Sequence, residues 1–216
     1  MTPFTEKLWQ ETLPLYEQIL HHPFNEDLKN GTLEEQIFKF YIYQDSLYLA
    51  DFAKALAITG ARLPIAYFSN FLTFAQNALI VEQVLHESYF QQFAIDFTSG
   101  KVPGCFAYTN YLLATALSEP AEVAVAALLP CFQIYKKVGD FIYANQTTPN
   151  PYQNWINAYS SKEFGKAVEK VLAICNELAK HASAPMLERM QIAYTTATRL
   201  EYIFWDSAYK TEQWPI

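Results

Sequence analysis

A chain of 216 residues, 51% hydrophobic and 16% aromatic with 15 Tyr and 16 Phe, has enough large apolar surface for a substantial core with an aromatic pocket inside it. Its net charge of -7, with no run of Lys or Arg, weighs against nucleic acid as a partner. No stretch of about 18 uninterrupted apolar residues occurs, and the first seven residues lack a basic then apolar leader pattern, so no membrane association and a cytoplasmic location are expected.

Composition does not shift along the sequence, so residues 1–216 are expected to form one domain. Only six glycines occur, and no sustained period-2 alternation is bounded by hairpin turns, which predicts an all-α, multihelical bundle. A first helix is predicted over about Pro3 to Ile19, with Pro14 expected to kink or split it, followed by a loop at His22-Pro23-Phe24-Asn25. Thr32 and Glu35 have capping-box spacing, which predicts a second helix to about Thr59-Gly60. A third is predicted from about Pro64 to Phe93, and a short fourth through Tyr108 to Leu117 after a Gly/Pro loop at 99–104. Pro120 suits the first turn of a helix running through Cys131 to about Tyr143. The loop at 145–151 leads to a short segment around Trp155. A second capping-box pattern, Ser160 with Glu163, precedes a helix to about His181, and Pro185 opens the last, which ends near Tyr209.

Within the second helix, Asp45 falls among Phe38, Tyr41, Ile42, Tyr48, Leu49, Phe52 and Leu56 at about 100° of rotation per residue. A carboxylate there costs several kcal/mol unless it has partners, so tyrosine hydroxyls satisfy it or it receives a ligand. Glu201 repeats the pattern among Met190, Tyr194, Ala197, Phe204 and Trp205. Burial disfavours its charged form and lets it hold a proton near neutral pH; the competing reading is a structural acid bonded to tyrosines or to Arg62 or Arg199. Cys131 also faces inward, beside Ala127, Leu128, Ile134 and Tyr135, either as a small buried hydrophobe or as a nucleophile. Three cysteines at wide spacing fit neither a disulfide framework nor a zinc site, so at least one thiol is expected to be free. Glu82 and His86, at i, i+4, could bind a metal, but no second matching pair exists among the four histidines, and no metal is expected. Phosphate-loop, dinucleotide-binding and Gly-x-Ser-x-Gly patterns are absent.

Phe40-Tyr41-Ile42-Tyr43-Gln44-Asp45-Ser46-Leu47-Tyr48-Leu49, Leu128-Leu129-Pro130-Cys131 with Tyr135, and Glu201-Tyr202-Ile203-Phe204-Trp205 together resemble the TenA family, the thiaminase II enzymes of thiamin salvage. The match extends over nearly the whole chain, supported by His22-Pro23-Phe24, Ala107-Tyr108-Thr109 and the segment Tyr152 to Tyr159. The resemblance implies a haem-oxygenase-like helical fold, a homotetramer and no cofactor. It implies Cys131 as nucleophile, Glu201 as proton donor, Tyr48 as the hydroxyl beside the thiol, and Asp45 as the acid that holds a pyrimidine. Tyr108, Tyr135 and Tyr159 would line the pyrimidine pocket and Phe204 would offer an apolar wall. The implied substrate is a small aminopyrimidine or thiamin itself. A pyrimidine-binding protein of the same fold without turnover is the alternative.

Overall fold

The structure, a computed structural model, describes residues 2–81, 89, 91, 93 and 100–216. Helix α1 (Phe4–Leu20) runs unbroken through Pro14. Pro14 and Gln10, whose carbonyl loses its partner, are both exposed, so solvent replaces the missing bond and the expected split does not occur. The segment expected as a loop after it is instead helix α2 (Pro23–Asn30). His22 caps it by accepting the Phe24 N–H at 3.2 Å, Pro23 supplies the preset first-turn φ, and Gly31 closes it at φ 69°.

Helix α3 (Glu35–Ala61) begins after Glu34 without a side-chain cap. Thr32 forms no capping box; its hydroxyl donates back to the Asp27 carbonyl at 3.4 Å. Then follow α4 (Ile65–Val81), α5 (Pro103–Ser118), α6 (Ala121–Asn145), α7 (Gln153–Ser160), α8 (Lys162–Lys180) and α9 (Ala184–Tyr209). The cap of α8 is Ser161, not Ser160: its Oγ accepts the Phe164 N–H at 3.1 Å. That one-residue shift releases Glu163 from a capping role. Of the rest of the expected third helix, residues 89, 91 and 93 are helical and the others, Glu82 and His86 among them, lie outside the described residues.

No strand occurs among the described residues. Helix α6 packs against α9, α7 and α8, while α3 packs against α4 and α5. Where α3, α6, α7 and α9 converge, Tyr41 stacks on Trp205 with centroids 5.3 Å apart. Trp155 Nε1 donates to the Tyr41 hydroxyl at 3.0 Å, and that hydroxyl donates to Tyr135 at 3.4 Å. Rings of this size bury much apolar area, and the polar tips of Trp155, Tyr41 and Tyr135 are bonded in series, whereas the Trp205 indole N–H has no partner among the described residues. Among the described residues no helix is long and apolar enough to cross a membrane.

Candidate active site

Beside this aromatic junction lies a cavity of about 370 Å³. Helix α3 supplies Asp45, Tyr48, Leu49 and Phe52, which share one face because they recur at three-, four- and seven-residue steps. Helix α6 supplies Cys131, Phe132 and Tyr135, and α7 supplies Tyr159. The outer part is built by Phe74, Asn77, Ala78 and Ile80 of α4 and by the first turns of α8, with Glu163 and Phe164. Tyr159 owes its position to Gly139 of α6: a Cβ there would lie 2.7 Å from the Tyr159 carbonyl carbon and 2.8 Å from its Cβ. No other residue permits α6 and α7 to approach so closely.

Asp45 is 1% exposed and Cys131 8%. Burial pushes the Cys131 thiol well above its ordinary range, and negative charge on Glu201 and then Asp45 pushes it further. The Tyr48 hydroxyl acts in the opposite sense, favouring the thiolate. By strict geometry that hydroxyl makes no hydrogen bond among the described residues. Cys105 and Cys175 are likewise free and buried, each pushed up to about 12 mainly by burial, and neither lines the cavity.

Glu201, Tyr108 and Phe204 form a layer behind the Tyr48 side of the wall. Tyr48 packs against the Tyr108 ring at 5.0 Å and the Phe204 ring at 5.4 Å. The Tyr108 hydroxyl donates to Glu201 Oε1 at 2.8 Å. Burial raises the Glu201 carboxyl to about 8; the Tyr108 bond holds it down and the Asp45 charge adds to the rise. Glu201 is therefore partnered by a tyrosine and not by an arginine: Arg199 is exposed, and Arg62 donates to the Ala116 carbonyl. At neutral pH the carboxyl keeps its proton, which also relieves the electrostatic penalty on a Cys131 thiolate.

The eight residues to which the resemblance gives roles thus gather at one place, five on the cavity wall and three directly behind it. Phe74, Asn77, Glu163 and Phe164 were not anticipated. The uncharged run Ile65 to Val81 was a usable signal for an apolar wall, but its side chains reach the cavity only through the tertiary packing of α4 on α3. Among the described residues no group of three or more His, Cys, Asp or Glu could hold a metal.

The profile of the TENA/THI-4/PQQC family matches residues 9–211. The chain belongs to this family. It is 30% identical to the aminopyrimidine aminohydrolase of Halalkalibacterium halodurans, over 98% of this chain and 97% of that one. A solved TenA homologue from Pyrococcus furiosus superposes with a TM-score of 0.91 at 25% identity, covering 95% of this chain and 99% of its own. A domain of Shewanella denitrificans described as having a heme oxygenase-like fold superposes at 0.76 with 18% identity, covering 96% and 92%, so the TENA/THI-4/PQQC chain has the haem-oxygenase-like helical architecture.

Proposed function

We propose that this protein is an aminopyrimidine aminohydrolase of thiamin salvage, converting 4-amino-5-aminomethyl-2-methylpyrimidine to the hydroxymethyl compound and ammonia, and able to cleave thiamin to the same alcohol and its thiazole. One observation carries the reading: Asp45, Tyr48 and Cys131 face one aromatic cavity, with the proton-holding Glu201 directly behind Tyr48 and Tyr108. The name of the Halalkalibacterium relative supports it.

Tyr135 and Tyr159, with ring centroids 4.8 Å apart, give a flat ring an aromatic bed, and Asp45 accepts a hydrogen bond from its 4-amino group. Glu201, one layer behind the wall, then supplies its proton to a ring nitrogen past the Tyr48 hydroxyl, which lines the cavity. The ring becomes electrophilic enough for Cys131, assisted by Tyr48, to form a carbon–sulfur bond, its thiol proton passing to the departing amine, or to solvent when the thiazole leaves. The dearomatised, electron-rich ring breaks the bond between its exocyclic methylene and the leaving group, which departs as ammonia or as the thiazole. Water adds its oxygen to that methylene. One water proton stays on the new hydroxyl and the other returns to the sulfur as the carbon–sulfur bond breaks and the ring regains aromaticity, while the ring-nitrogen proton returns to Glu201, so the net change is hydrolysis of the exocyclic carbon–nitrogen bond. No metal or redox partner enters this balance.

The protein acts, in this reading, as one domain within a homotetramer, and sedimentation equilibrium measures that assembly. The chemistry is tested by incubating the protein with the aminomethylpyrimidine and with thiamin, and measuring hydroxymethylpyrimidine and ammonia. Stoichiometric binding of the pyrimidine with no ammonia release would replace the enzyme with a binding protein.

A further inference from the structure

The charges that line the cavity are all of one sign. Among the described lining residues, Asp45 and Glu163 are carboxylates and no Lys, Arg or His is present. Asp45 is buried, whereas Glu163 is exposed, which places one charge at depth and the other at the mouth, where Asn77 of α4 also lines the cavity. Glu163 makes no ion pair or hydrogen bond among the described residues. The nearby cations are otherwise disposed: Lys136, which approaches α8 at Gly165, is paired with Asp140, and Lys162 and Lys166 are exposed and do not line the cavity. The deep end independently marks the cavity as a ligand site, since the Tyr48 hydroxyl, on a side chain 1% exposed, makes no aligned hydrogen bond among the described residues.

We infer that Glu163, with Asn77 at the same mouth, is the specificity-determining residue for the leaving half of the substrate, selecting a cationic leaving group and rejecting a phosphorylated one. The inference rests on the function proposed above. With the pyrimidine held at depth by Asp45 and Tyr135, the group on its exocyclic methylene projects toward the mouth. The thiazolium of thiamin is a fixed cation that a carboxylate attracts. A phosphate ester on its side arm brings negative charge to a rim whose described residues offer it no cation.

Because Glu163 is exposed, its effect is screened by salt and modest in size. The test compares thiamin with thiamin monophosphate on the full chain and on E163Q and E163K, by steady-state kinetics and by calorimetric binding, at low and high salt. The parent should prefer thiamin in both readouts. In E163Q that preference should fall by about two- to fivefold, through KM and not kcat, and in E163K it should fall further. High salt should shrink the difference between parent and variants. Unchanged preference in both variants, with turnover intact, overturns the inference and leaves the proposed function standing. Charge-selective binding that responds to E163K without turnover does the reverse. A parent that binds neither compound overturns both.

Discussion

The Tyr108 hydroxyl is 2.8 Å from Glu201 Oε1, while Oε2 of the same carboxyl has no hydrogen-bond partner among the described residues. One oxygen anchors the group and the other can carry a proton. The anchor also sets the proton's affinity, because a donor to the carboxylate favours the charged form and partly offsets the cost of burial.

Tyr108→Phe removes that donor and should raise the Glu201 carboxyl above about 8. If the protonated form is the active one, activity is held below this value and lost above it, so the alkaline limb of the kcat/KM profile should move to higher pH. A limb that moves to lower pH, or stays in place, contradicts the assignment of Glu201 as proton donor.

Glu201→Gln should abolish turnover and yet stabilise the protein at alkaline pH. The unfolded chain ionises this residue from about pH 4.5 upward, whereas the folded chain keeps the proton to about 8, so the parent loses stability as pH rises across that window. The neutral amide does not pay this penalty, and the gain at pH 8 over pH 4 should be on the order of 4 kcal/mol. Denaturant melts at the two pH values measure it, and equal differences at both would refute the buried, proton-holding carboxyl.

Gly139→Ala places a methyl group 2.7 Å from the Tyr159 backbone. Helix α7 must move outward, at a cost of about 1–3 kcal/mol. Since Tyr159 lines the cavity, KM should rise together with the fall in Tm. A lowered Tm with unchanged KM would separate helix packing from the pocket.

Asp45→Asn keeps the shape of the side chain and removes its charge. A charge-assisted bond to the 4-amino group contributes about 1.5–3 kcal/mol, so KM should increase by roughly ten- to a hundredfold. Substrate titrations of parent and variant check this, and an unchanged KM removes Asp45 from ring recognition.

The helices and the inward side chains were legible because both follow from rotation at a fixed pitch. Asp45, Cys131 and Glu201 each stand out against apolar neighbours one turn away, so three helices announce a shared interior before their packing is known. What one helix's sequence could not show is how its ends are satisfied. His22-Pro23 reads as a break by its proline, although Pro at the first helical position with a capping side chain before it starts a helix. Ser160 and Ser161 are adjacent and both able to cap, and only the tertiary arrangement of α7 and α8 selects the second. The mouth of the cavity was illegible for a related reason: Asn77 and Glu163 are ordinary surface residues on their own helices and acquire a common role only where α4 and α8 meet the same space.

The proposed chemistry requires the Cys131 sulfur to bond to the substrate ring during turnover. Cys131→Ala should reduce ammonia release from the aminomethylpyrimidine on the order of a thousandfold or more while binding of the pyrimidine, measured by calorimetry, stays within a few-fold of the parent. Near-normal ammonia release by the alanine variant would contradict it.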